Sequence, residues 1–166
     1  MAYRGKFRPR HPEKYMGDPK GIVYRSSWER EFFNYCDNSA KIKRWASEEI
    51  IVPYYYLGKK HRYFPDVYIE YMHHSGVMRK KLIEIKPYGE CFPPRQSKNR
   101  GKYARQVHTY GKNQAKWAAA IEFCELNSME WEVFTEYTLQ LKKPTQKMIR
   151  EGLRVGTNTV YRPITG

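Results

Sequence analysis

Apolar positions change their spacing several times along this chain, and each change marks an element. From Ser26-Ser27 onward Trp28, Phe32 and Tyr35 or Cys36 recur at helical spacing, so a helix starts there. After Trp45 the run Glu49-Ile50-Ile51-Val52-Pro53-Tyr54-Tyr55-Tyr56 predicts a strand, with Pro53 marking an edge or a bulge because it has no N–H to give. Gly58-Lys59-Lys60 then turns the chain. Two β-rich runs follow, Arg62 to Glu70 and Lys81 to Pro87, separated by the polar break His73-His74-Ser75-Gly76, which reads as a hairpin. Three consecutive strands make a meander. Tyr103, Val107, Tyr110, Trp117, Ala118, Ile121 and Cys124 next keep the period of a long helix, with Arg105, Lys112 and Lys116 outside the stripe and Gly111 weakening it locally. Asn113 and Gln114 are placed to reach the hairpin or to face solvent. Met129, Trp131 and Val133 alternate with Glu130, Glu132 and Phe134 as a fourth strand. The class is α/β, ordered helix, three-strand meander, helix, strand, over residues 22–140.

The ends lack such patterns. Residues 1–21 carry Arg4, Lys6, Arg8, Arg10, Lys14 and Lys20 among glycines and prolines, an extended basic arm that tracks phosphates, docks on a protein or stays a loose tail. Residues 88–101 read as a mobile loop, too charged to bury, with Arg95, Lys98 and Arg100. Residues 141–166 form a basic tail with Lys142, Lys143, Lys147, Arg150, Arg154 and Arg162 and room for one short helix.

Composition then narrows the partner. In 166 residues, 31 basic against 17 acidic side chains leave a formal charge of +14, a field that favours polyanions, with nucleic acid first among them. No run is long or apolar enough to span a membrane, and charges stand where a signal peptide needs an apolar segment, which predicts an intracellular chain. Cys36, Cys91 and Cys124 are odd in number and far apart, arguing against a disulfide framework and a zinc site.

Candidate chemistry sits on the hairpin. A side-chain period of two puts Glu84 and Lys86 on one face and Ile83 and Ile85 on the other, while Asp66 starts the partner run and reaches Glu84 if the register allows. Two adjacent carboxylates repel unless a cation neutralises them, and oxygen ligation suits magnesium or manganese. Lys86 would orient a water or offset phosphate charge. The bland alternative is a solvated strand face with a weak Glu84–Lys86 pair. A second acid-x-lysine, Asp18-Pro19-Lys20, lies in a loop and lacks this context. Glu29 also has two readings: a capping box, reaching back to the Ser26 amide, or a site residue on the helix face shared with Phe32, Phe33 and Cys36.

This order of elements, with acids on the second and third strands, resembles the PD-(D/E)XK nuclease superfamily and its restriction-endonuclease-like core. Pro65-Asp66 supplies the first half of the motif and Glu84-Ile85-Lys86 the second. Glu29, in Tyr24-Arg25-Ser26-Ser27-Trp28-Glu29, looks like the helix-borne acid of the TnsA-type branch. Met1-Ala2-Tyr3-x-Gly5-Lys6, Gly17-Asp18-Pro19, Val52-Pro53-Tyr54, Arg62-Tyr63-Phe64-x-Asp66, Ile83 to Pro87 and Lys116-Trp117-x-Ala119-Ala120 resemble the head completion nucleases of T-even-type tailed phages, from residue 1 to about 140.

The resemblance implies a metal-dependent deoxyribonuclease acting on packaged DNA near the portal of a filled head, before the tail joins. It implies that Asp66, Glu84 and the Ile85 carbonyl hold magnesium or manganese, that Lys86 positions the attacking water, and that Glu29 completes or supports the site. Arg62, Arg95, Lys98, Arg100, Lys102 and Arg105 are the cations expected against double-stranded DNA; Arg4, Lys6, Arg8 and Arg10 are expected to dock on DNA or on portal or neck proteins. The expected place is the host cytoplasm during assembly, or the head–neck vertex of the virion. Two other readings share the scaffold: a structural neck or head-joining protein, and a TnsA-like or repair endonuclease outside any virion.

Overall fold

The computed structural model describes residues 3–151 and the backbone of 154–155 and 159–160. In chain order the strands are β1 (Gly5–Lys6), β2 (Val23–Tyr24), β3 (Ile42–Ser47), β4 (Val52–Tyr56), β5 (Lys59–Tyr63), β6 (Val67–Met72), β7 (Met78–Ile85), β8 (Glu130–Phe134), β9 (Arg154–Val155) and β10 (Thr159–Val160). The helices are α1 (Ser27–Asn38), α2 (Arg100–Leu126) and α3 (Gln146–Arg150).

A four-stranded sheet ordered β3-β6-β7-β8 organises the chain. Its centre is the predicted hairpin, paired antiparallel from Val67↔Ile83 to Met72↔Met78, while β8 runs parallel to β7 after the α2 crossover. The central strands are covered on both faces where Val67, Tyr68 and Ile69 meet Leu82, Ile83 and Ile85, so their apolar residues run continuously rather than alternating. Phe33 of α1 packs on Trp45 of β3, ring centroids 5.2 Å apart, and α2 buries Trp117, Ala120 and Cys124.

The meander differs from the one the pattern predicts. Glu49 to Tyr56 is not its first strand: β4 pairs only with β5, as a separate two-stranded hairpin, and β3 takes the place beside β6. A register shift between Ile42 and Arg44 breaks the period of two in β3, and Lys41, Lys43 and Arg44 dilute its apolar signal. The run from Arg62 to Glu70 is likewise split, since β5 ends at Tyr63 and β6 begins at Val67. Between them lies Pro65, which cannot donate to a ladder.

The N-terminal segment is not an extended arm. Phe7, Tyr15 and Ile22 are buried, β1 pairs with β2, and the Phe7 N–H donates to the Ile22 carbonyl at 2.9 Å. Asp37 at the end of α1, 2% exposed, accepts from the backbone N–H groups of Arg10 and His11 at 2.7 and 2.9 Å. The Lys14 ammonium donates to the carbonyls of Cys36, Asp37 and Ser39 at 2.6, 2.9 and 2.9 Å, satisfying groups that a helix C-terminus leaves open. Arg4, Lys6, Arg8 and Arg10 are exposed to solvent between these anchors.

Two further expectations are corrected. The loop after β7 starts as a packed 3-10 turn, Tyr88–Cys91, with Cys91 buried and the Tyr88 N–H donating to Glu136 at 2.9 Å; its exposed cations come later. The apolar stripe of α2 does not hold over the first turns, where Val107 is 43% exposed, and Ala118 is exposed while Ala120 is buried. Gly111 is there because a Cβ would sit 3.1 Å from the Tyr56 hydroxyl, so it admits β4 against the helix. The three cysteines are buried as small apolar residues and form no disulfide among the described residues. The predicted short tail helix is α3, whereas the Arg154 side chain and Arg162 lie outside the described residues. No described helix is long and apolar enough to cross a membrane.

Candidate active site

The site forms where the β6–β7 ladder stops. Val67 is paired with Ile83, so Asp66, one residue earlier, lies opposite Glu84. The Lys86 N–H donates to the Phe134 carbonyl at 2.9 Å, which turns the backbone of Glu84 and Lys86 toward β8 and that of Ile83 and Ile85 toward β6. Continuing the register would set Ile85 against Pro65. Proline offers no N–H, so the Ile85 carbonyl gets no donor from it, and the Ile85 N–H donates instead to Asp66 Oδ2 at 2.7 Å.

Glu84 is 7% exposed. Its Oε2 accepts a short hydrogen bond from the Tyr63 hydroxyl, and its Oε1 lies 3.7 Å from the Lys86 ammonium. Lys116 of α2 sits over the Tyr63 ring, 5.5 Å from its centroid. Burial raises the pKa of Asp66 well above its ordinary range, and the Glu84 charge adds to this against the Ile85 N–H. Glu84 is raised too, by burial, against the pull of Lys86, Tyr63 and Lys116. Burial and the Glu84 charge also push the Tyr63 hydroxyl well up, which keeps it a donor. The structure therefore holds two close carboxylates that resist ionising together.

Glu29 caps its helix and also borders this pair. The Ser26 hydroxyl accepts from the Glu29 N–H at 3.1 Å, but Glu29 Oε2 reaches back to the Arg25 N–H at 3.1 Å rather than to the Ser26 amide, so the capping box is displaced by one residue. Burial raises the Glu29 pKa, and its charge is among those that raise Asp66. Among the described residues no three His, Cys, Asp or Glu side chains are grouped to hold a metal. Two carboxylates and a carbonyl freed from its ladder are an all-oxygen donor set, which fits a hard divalent cation that keeps several waters.

Arg62 is exposed with its guanidinium 5.9 Å from the Phe64 ring centroid, and Arg95, Lys98, Arg100, Lys102 and Arg105 are exposed on the loop and the first turns of α2. Among the described residues none of these six bonds to the acid pair. Sequence reasoning missed Tyr63 and Lys116. Tyr63 ends a strand whose pairing was misread; Lys116 is not outside the buried face, since it stands four residues before Ala120 and eight before Cys124, both buried. Gln114 is not simply solvated either: its Nε2 is buried with no hydrogen-bond partner among the described residues.

A sheet with paired acids at the end of its central hairpin, a lysine two residues beyond the second acid, and helices on its faces defines a restriction-endonuclease-like domain. The chain belongs to the TnsA-like endonuclease family, whose N-terminal domain matches residues 39–136. It is 37% identical over 143 residues to the head completion nuclease of Enterobacteria phage T4, a match spanning 82% of this chain and 93% of that protein. Endonucleases of this superfamily commonly use divalent metals. Glu29 precedes the family match, so its place at the site rests on geometry.

Proposed function

We propose that the protein is a magnesium-dependent deoxyribonuclease of phage head completion that processes packaged double-stranded DNA near the portal before head–tail joining. The observation that carries this is the pairing of half-buried Asp66 with buried Glu84, with Lys86 beside it, in a chain 37% identical to a head completion nuclease. Asp66, Glu84 and the Ile85 carbonyl would hold the metal, with manganese as its substitute. The metal would polarise a phosphoryl oxygen and acidify a bound water. Tyr63 occupies Oε2 of Glu84, leaving Oε1 beside Lys86. Lys86 orients the water that attacks phosphorus as the bond to the leaving oxygen breaks. Glu29 supports Asp66 electrostatically while capping α1. Arg62, Arg95, Lys98, Arg100, Lys102 and Arg105 grip phosphates. Arg4, Lys6, Arg8 and Arg10 are displayed for portal or neck proteins, which sets the working place in the host cytoplasm or at the head–neck vertex.

The test is incubation of the purified protein with supercoiled duplex DNA, in magnesium and in chelator. Cleavage should need the metal, and Asp66→Ala, Glu84→Ala and Lys86→Ala should each remove most of it while remaining folded, because groups acting as one unit are lost together. Folded wild-type protein that leaves DNA intact in magnesium and manganese would overturn the nuclease reading. Full-length Asp66→Ala should fail to complete heads of a phage lacking the protein. Wild-type completion by that variant would make the role structural.

A further inference from the structure

Lys116 has no carboxylate within ion-pair distance among the described residues. It is half-buried on α2, and among the described residues its ammonium has no hydrogen bond; the Tyr63 ring is its seat. Two other lysines partly withdrawn from water, Lys14 and Lys81, are served. Lys14 donates to three carbonyls, and Lys81 lies 2.8 Å from Glu132 and 3.6 Å from Glu130. A partly buried charge left unmatched is costly, so its position calls for an anion that binds there. The nearby acids do not need it: Glu84 has Tyr63 and Lys86, and Asp66 has the Ile85 N–H. Yet Lys116 feels both. Burial pulls its pKa down, Lys86 and Lys112 push the same way, and Glu84 and Asp66 oppose them. The ammonium thus shares its electrostatic space with the acid pair from the helix side.

We propose that Lys116 is a further catalytic residue, binding a non-bridging oxygen of the scissile DNA phosphate from α2 while Lys86 approaches from β7. The assignment rests on the nuclease reading above. No proton moves through Lys116; its ammonium offsets the negative charge that builds on phosphorus oxygens as water adds and the leaving oxygen departs.

The experiment compares wild type, Lys116→Met and Lys116→Arg in two assays on one duplex. Binding is measured against salt in calcium, with cleavage blocked, and single-turnover cleavage is measured at saturating magnesium. Losing one phosphate contact should lower the slope of log affinity against log salt by about 1. Losing one transition-state contact should slow cleavage by about 10²- to 10³-fold. Lys116→Arg should keep the wild-type slope and recover much of the rate. An unchanged slope in Lys116→Met, or a rate that returns to wild type as magnesium is raised, would show a mere counter-ion of Glu84 and overturn the proposal. Lys116→Gln carries the same test if Lys116→Met does not fold. Wild type that binds and never cuts sinks the nuclease reading, whereas wild type that cuts beside an equally fast Lys116→Met sinks this inference alone.

Discussion

Asp66→Asn should abolish cleavage and at the same time stabilise the metal-free protein at neutral pH. The folded pKa of Asp66 lies above its ordinary 3.8 because the carboxyl is buried and faces Glu84, with Glu29 adding and Lys86 and the Ile85 N–H opposing. Between the unfolded and folded values the native state holds more protons than the unfolded chain, so stability falls as pH rises through that window. Below it the group costs nothing; above the folded pKa the cost is complete, at about 1.4 kcal/mol for each unit of elevation. In a chain of this size each kcal/mol moves Tm by about 2–4 °C. Asparagine removes the charge and keeps an oxygen for the Ile85 N–H, so the sheet end stays intact. Thermal melts in chelator at about pH 8 should therefore put Asp66→Asn several degrees above wild type, with the gap closing toward pH 4. Magnesium should raise the wild-type Tm through its binding and leave the variant where it was. A variant less stable than wild type at pH 8, or a gap that ignores pH, would refute the picture of two carboxylates held together against their repulsion.

Tyr63→Phe keeps the ring beneath Lys116 and removes only the hydroxyl, leaving Glu84 Oε2 buried without its donor; hydrogen bonds to charged groups are worth about 1.5–3 kcal/mol, so cleavage should drop by roughly tenfold or more in a rate assay. Deleting residues 1–20 takes Phe7 and Tyr15 out of the core, at about 1.5–3 kcal/mol each, and strips buried Asp37 of its donors, so the truncated chain should be insoluble or unfolded by circular dichroism; a soluble, active product would show that the segment is an appendage after all. Replacing Arg95, Lys98 and Arg100 together by Gln should weaken duplex binding equally across sequences and flatten the salt slope by up to about 3, whereas a sequence-dependent loss would mean that one of them reads bases.

What the chain's pattern reveals depends on repetition. The helix after Ser26, the hairpin around Gly76 and the strand through Trp131 each repeat a period several times, and all three are present where expected. β3 has six residues and a register shift inside them, so too little periodic signal survives. The N-terminal wrap has no period at all. Phe7, Tyr15 and Ile22 are its buried anchors, seven or eight residues apart, and what holds the chain between them is backbone pairing and the bonds to Asp37 and from Lys14. Basic composition there says where the side-chain tips go and nothing of where the backbone lies.

The acids were legible for a different reason. Pro65-Asp66 and Glu84-x-Lys86 are local spacings, and one antiparallel register joins them. Tyr63 and Lys116 come from β5, which leaves the sheet, and from a helix more than thirty residues further on, so only the tertiary fold brings them to Glu84. Pro65 links the two levels. The missing N–H that ends β5 and β6 as separate strands also deprives the Ile85 carbonyl of a ladder partner, while the Ile85 N–H donates to the Asp66 side chain. Were the residue before Asp66 able to donate, the ladder would extend by one pair and satisfy that carbonyl. An oxygen of the proposed donor set would then be taken up by the sheet, so on that proposal the proline is part of the site's chemistry as much as of its fold.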